Sequence, residues 1–307
     1  MPALVKERDT LEKDLEEKGP SPTRLRALNL ANKRIFRAVE HQHHPEQRGY
    51  FRLVLDCLRD DPNSCVVVMD FTAATIQDEG HIFRDLILCI ISFDPHFSAY
   101  STQYLDFVAD TCTEDISYVC AAWKYALDHT QLFRRFNDVL IFSDGPTTHF
   151  KSRYVVHCFG SLLPKYGLHP EFNFWYTRHG RSRCDAHASH VKTFLNRTFL
   201  KREGKVLQHQ QHHEVGEACQ HCAELFQFDW YDFVSALQTA VSSTRAFFLS
   251  AIPPFPRHAC FPTPGVFDAH QICFHPISDH SFGARLFRRS GQVDTAIGSF
   301  VLPIVAL

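Results

Sequence analysis

The sequence predicts a mixed α/β fold in which antiparallel strands come first and parallel crossovers follow. Three observations predict it. Short unbroken β-branched runs at 65–69 (Cys-Val-Val-Val-Met) and 138–142 (Asp-Val-Leu-Ile-Phe) read as strands buried on both faces. Segments 82–93 and 100–109 alternate or run apolar and read as two further strands between them. From residue 116 onward, helical and strand patterns alternate, as crossover connections require.

Each element follows from local chemistry. Residues 1–17 set Leu4, Leu11 and Leu15 at near-helical spacing among Glu and Lys, and Gly19-Pro20 ends that helix. Ser21-Pro22 is an N-cap followed by proline in the first turn. Leu25, Leu28, Leu30, Ile35, Phe36 and Val39 carry a second helix to about residue 43. Pro45 is expected to start a third, through Phe51, Leu53, Leu55 and Leu58. This region reads as a packing or self-associating element. Its cations Arg24, Arg26, Lys33, Arg34 and Arg37 suit a solvated helix face as well as they suit DNA.

The first strand is expected to end at Asp70, and 110–115 is a turn. A helix covers 116–129, and the strand at 138–142 runs into Ser143-Asp144-Gly145-Pro146. A helix over 151–166 is closed by Gly167. A strand over 171–177 and a helix over 185–200 complete the core. A His- and Gln-rich stretch follows residue 204, then a helix over about 218–249 with room for a break near Phe228, a Pro-rich stretch at 252–264, and a few short strands in 265–307. The organisation read from this is 1–62 helical, 63–204 core, 205–251 loop and helical extension, and 252–307 Pro-rich with a small β region.

Apolar residues at 45% and charged residues at 21% are globular composition. A formal net charge of −2 excludes a chain that holds nucleic acid by bulk positive charge, while leaving room for a local basic face. The longest apolar run, 86–93, falls far short of the roughly 20 residues of a membrane span. The charged start lacks the apolar stretch of a signal peptide, and the eleven cysteines have no disulfide-framework spacing. A nuclear or cytoplasmic protein, neither secreted nor membrane-bound, is expected.

Two apolar strands lead into an aspartate, Asp70 and Asp144, and a third, Asp185, begins the helix after the last core strand. In open α/β sheets ligands sit beyond the carboxyl ends of strands. Carboxylates brought together there repel, and a hard divalent cation removes that cost. An all-oxygen set suits magnesium or manganese, and a two-ion site serves phosphodiester chemistry. Singly, each aspartate is explained as a cap or a turn; together, in this strand order, they suggest a site.

Three stretches carry a resemblance. They are Val66-Val-Val-Met-Asp70-Phe71, then Phe142-Ser-Asp144-Gly-Pro-Thr-Thr-His-Phe-Lys151-Ser-Arg153, then His179-Gly-Arg-Ser-Arg-Cys184-Asp185-Ala-His-Ala-Ser-His-Val191-Lys192. They resemble a eukaryotic transposon-derived group with a "DFA" strand end, "SDGxxxQYKN" and "HGKGxCDGxGGxVKR". The catalytic core of that group looks like the ribonuclease-H-like fold of DDE/D transposases and integrases, with a five-stranded mixed sheet. The resemblance runs from about His41 to Lys192, with a weaker echo at Pro264-Gly265 and His270. It implies metal-dependent DNA cleavage and strand transfer. It makes Asp70, Asp144 and Asp185 the catalytic, metal-binding acids, and Lys151, Arg153, His179 and Lys192 the residues facing nucleic acid. It implies magnesium or manganese as cofactor and DNA as partner, and self-association through the N-terminal helices is compatible with it. The sequence departs from the pattern where Thr72-Ala73-Ala74-Thr75 follow the first acid and where His187-Ala188-Ser189 replaces glycines after the third. Those departures suit the alternative, a domesticated core that binds nucleic acid or protein without catalysis.

One other set has metal-ligand spacing. Cys219 and Cys222, with His209 and His212 upstream, could form a Cys2His2 zinc site. A single C-x2-C pair is a weak motif, and an amphipathic helix after a polar loop explains the cysteines better.

Overall fold

A computed structural model describes residues 2–75, 82–109, 115–143, 150–175, 183–194, 197, 230–278, 281–287 and 296–303. The chain opens with helices α1 (Pro2–Lys18) and α2 (Pro22–Cys57). Gly19 turns between them at a positive φ of 72°, and the Ser21 hydroxyl caps α2 by accepting from the Arg24 amide at 3.3 Å. Helix α2 runs straight through Pro45, so the two helices expected from the sequence are one. A mid-helix proline costs about 3 kcal/mol. Burying an aliphatic side chain gains about 1.5–3 kcal/mol. The C-terminal end of α2 seats both Val54 and Leu58 against the sheet.

The strands follow in the expected order. They are β1 (Ser64–Thr75), β2 (Ile82–Asp94) and β3 (Ala99–Ala109), then helix α3 (Ile116–His129), β4 (Asp138–Ser143), helix α4 (Arg153–Leu162) and β5 (His169–Phe174). Helix α5 occupies 183–194. Strands β1, β2 and β3 are antiparallel neighbours, whereas β4 is parallel to β1 and β5 is parallel to β4. The strand carrying Asp70 therefore lies beside the one that precedes Asp144, as the apolar runs predict. Strand β1 does not end at Asp70. It continues to Thr75 because residues 71–75 go on pairing with β2, from Leu86 to Ile82.

The sheet is larger than the five strands expected. It has nine, in the order β6-β3-β2-β1-β4-β5-β7-β8-β9. Helix α6 (Trp230–Ala240) is followed by β6 (Thr244–Phe248), which pairs parallel with β3. The sequence pattern predicts helix as far as residue 249. Val241 to Ser243 instead turn the chain, with Ser243 at φ 60°, and the β-favouring Thr244, Phe247 and Phe248 join the sheet edge. On the other side, β7 (Gln271–Ser278), β8 (Ser281–Phe287) and β9 (Ala296–Pro303) form an antiparallel meander on β5. The C-terminal β region is thus part of the central sheet.

Both faces of the sheet are covered. One face, with Val67, Met69, Leu88, Phe107 and Ile141, packs under α3 and α4. The other, with Val66, Val68, Ile87, Cys89 and Phe142, packs under α5 and the end of α2. Among the described residues no helix is long and apolar enough to cross a membrane.

Candidate functional site

Pairing register places the acids. Side chains alternate along a strand, and directly paired residues share a face. Asp70 pairs with Ile87, which pairs with Asp106; one step along, Thr72 pairs with Asp85, which pairs with Val108. Asp70, Asp85 and Asp106 therefore stand on one face of three adjacent strands, the face beneath α5. Asp70 is half-buried, and its Oδ1 accepts from the Phe71 amide at 2.9 Å.

Helix α5 is fixed to this face by its first two turns. The Cys184 thiol donates to the Val68 carbonyl at 3.2 Å. Asp185, the next residue, is exposed. His187 Nε2 donates to Asp106 Oδ2 at 2.8 Å, and the two side chains are 2% and 0% exposed. Tyr104 stacks flat on the His187 ring, with centroids 4.0 Å apart and an interplanar angle of 4°. Ala188 and Val191 pack against the sheet below.

The electrostatics of this face are severe. Neither oxygen of Asp85 has a hydrogen-bond partner among the described residues, and the side chain is wholly buried. Burial pushes its carboxyl well above the ordinary carboxylate range, the Asp106 charge adds to the rise, and Lys192 on α5 opposes it. Burial also raises Asp106, against the pull of its hydrogen bond and charge pairing with His187. These residues, Asp85, Asp106 and His187, were missed in the sequence reading. The available signal was an aspartate inside an otherwise apolar strand, in Arg84-Asp85-Leu86 and Leu105-Asp106-Phe107.

The cations expected to face nucleic acid take different positions. Lys151 is not on an open surface: it is 6% exposed, with its ammonium 5.6 Å from the centre of the Phe174 ring at the end of β5. There the ring face attracts its charge. Arg153, in the first turn of α4, lies 4.9 Å over the neighbouring Tyr154 ring and donates to its hydroxyl at 3.1 Å. Lys192 is half-buried on α5. Asp144 follows directly on Ser143, the last residue of β4, but lies outside the described residues, as do His179, His209, His212, Cys219 and Cys222. Among the described residues no group of three His, Cys, Asp or Glu side chains converges as a metal cluster.

Residues 47–241 match a family described as a domain of unknown function (DUF8701). The chain belongs to this family. The matched stretch of the DUF8701 domain takes in the end of α2, strands β1–β5, and helices α3 to α6, and it stops just before β6. Strands β6–β9 are thus built onto the family's region from both edges of its sheet. No curated protein matches the chain. No solved structure matches it.

Proposed function

We propose that this chain carries a ribonuclease-H-like core of the DDE/D transposase and integrase type, acting on DNA phosphodiesters with magnesium or manganese. The observation that carries the reading is the strand order β3-β2-β1-β4-β5, with three antiparallel strands followed by two parallel ones. On that frame the three acids of the resemblance fall on β1, directly after β4, and in the first turn of the helix after β5. Asp70, Asp144 and Asp185 are the residues that would hold the ions, and their hard oxygen donors fit such a cation. Bound there, the ions would supply activation of a nucleophile and stabilisation of the leaving oxygen. The chain's own part is positional. Cys184 and His187 clamp α5 on the sheet, so Asp185 is carried on a fixed helix start rather than on a loop.

A second reading has its own support. The resemblance has glycines where this chain has Ala188 and Ser189, and His187 beside them is consumed in a buried pair with Asp106. Lys151 is likewise held against Phe174 rather than free for phosphate. Both features suit a core retained for binding after catalysis is lost.

One experiment separates these readings. Manganese that binds only the folded state should stabilise it by about 2.7 kcal/mol at a hundredfold excess over Kd. Asp144→Asn should remove that stabilisation and any manganese-dependent nicking of DNA, while DNA binding persists. Stabilisation without nicking favours the binding module. Identical responses of wild type and Asp144→Asn to metal would overturn the shared-ion site.

A further inference from the structure

We propose that the α1–α2 hairpin pairs with the same hairpin of a second copy of this chain, forming a four-helix bundle that makes the protein a dimer. Helix α1 packs against α2 and against no other element to a comparable extent. Helix α2 has 36 residues, about 54 Å of helix at 1.5 Å per residue. Among the described side chains, its contacts with the body come from its C-terminal end, through Tyr50, Phe51, Val54 and Leu58 and through the Tyr100 hydroxyl donating to the Leu55 carbonyl. The described side chains of the hairpin before residue 33 therefore depend on what the two helices bury.

They bury little. Among the described side chains of residues 6–32, Ala31 is the one that counts as buried. Leu11, Leu15 and Leu28 remain half-buried, and Leu25 is 44% exposed. Most helical stability in proteins comes from packing an apolar face rather than from helix propensity. The sequence spacing of that face is specific. Leu25, Leu28, Asn32, Ile35 and Val39 follow a three-four repeat, the spacing of a coiled-coil seam with one polar residue at a core position. Leu28 is the partly covered flank of the seam, and Leu25 is its open flank.

Charge selects the occupant. Helix α1 carries Glu7, Asp9, Glu12, Asp14, Glu16 and Glu17 against four Lys and Arg. From residue 22 to residue 48, α2 carries Arg24, Arg26, Lys33, Arg34, Arg37 and Arg48 against Glu40 and Glu46. An acidic helix and a basic helix joined by one turn are complementary to themselves across a two-fold axis. A partner of uniform charge would be repelled by one of the two helices, whereas a second copy offers each its opposite. The closed result is an antiparallel four-helix bundle, a common solution for two hairpins.

Sedimentation velocity on the full chain tests this. Wild type should sediment at twice the 35.4 kDa chain mass at micromolar concentration. Leu25→Glu should raise the dimer Kd at least tenfold and leave the far-UV spectrum and the melting of the body unchanged, since Leu25 is already exposed in the single chain. Leu30→Glu is the control: Leu30 is 51% exposed but lies about 140° further round the helix, so dimerisation should persist. Asn32→Leu completes the apolar seam and should tighten association several-fold, an outcome a misfolded variant cannot mimic. A wild type that stays monomeric up to about 100 µM overturns the proposal. So does a dimer that Leu30→Glu disrupts and Leu25→Glu does not, or one that Asn32→Leu leaves unchanged.

Discussion

Glu171 and Asp85 are carboxylates on the same face of one sheet, on opposite sides of β1 and β4, and they live in opposite circumstances. Glu171, on β5, is half-buried and surrounded by donors. It accepts from the Tyr50 hydroxyl at 2.7 Å, from the Asn173 amide nitrogen at 2.9 Å, and from the Cys273 thiol at 3.8 Å. Gln271 in turn donates to the Tyr50 hydroxyl at 3.3 Å. Asp85, on β2, is fully buried and accepts from nothing among the described residues. The first arrangement ties α2 to β5 and β7 and has the character of a structural joint. The second spends stability without a visible return, and buried polar groups left in that state concentrate at functional sites. The difference separates the side of the sheet that holds the molecule together from the side where the candidate chemistry lies.

The largest effect should come from cutting the one strong bond on the costly side. His187→Ala leaves Asp106 buried without its partner, and breaking a buried pair costs about 3–5 kcal/mol. Tyr50→Phe removes one of several donors to Glu171 and should cost about 1 kcal/mol. Chemical unfolding of both variants measures the contrast. If the two losses are equal, the Asp106–His187 pair is no stronger than the half-buried Glu171 joint, and α5 is held by its apolar contacts and the Cys184 hydrogen bond.

Asp85→Asn comes next, with the opposite sign. The carboxyl of Asp85 is raised in the folded state above the roughly 3.9 of an unfolded chain. Its contribution to stability is therefore present below about pH 3.9 and is lost as the pH rises toward and through the raised folded value. Wild type should lose ground to Asp85→Asn from about pH 4 upward. At neutral pH the variant should be more stable by at least about 1 kcal/mol, the lower bound for a buried unpaired group. Melting curves from pH 3 to pH 8 test the slope; a gap that does not widen with pH would mean the acid is paired after all.

The same contrast explains what the sequence could and could not reveal. The five central strands were legible because each is an apolar run or an alternation bounded by turn residues, and their mixed directions followed from the helices between them. The Glu171 joint was not legible, because Tyr50, Glu171 and Gln271 are distant in sequence and meet only through register and helix docking. Asp85 was hidden because its strand runs apolar on both faces: it shares one with Ile87, Cys89 and Ile91, and that face is buried because α5 docks on it. Pro45 misled for a related reason: a local breaker was overridden by a helix whose ends are fixed elsewhere. Strand β6 was lost because five residues carry too little pattern to outweigh the helix before them.

Lys192 gives the smallest effect and the finest discrimination. It is half-buried on α5, and its charge is the one that pulls Asp85 back toward the ionised form. If burial keeps Asp85 protonated at neutral pH, the lysine has no charge to meet there. Lys192→Met should then change stability by less than about 1 kcal/mol, as for an exposed pair. The double variant with Asp85→Asn should be additive within about 0.5 kcal/mol. DNA affinity should fall in Lys192→Met, with a shallower salt dependence, because the lysine remains available for phosphate. The opposite pattern is equally readable. Coupling above about 1 kcal/mol between the two substitutions would mean that Lys192 and Asp85 form a buried ion pair. In that case the gain from Asp85→Asn should vanish, and Lys192 would belong to the packing of α5 rather than to a nucleic-acid surface.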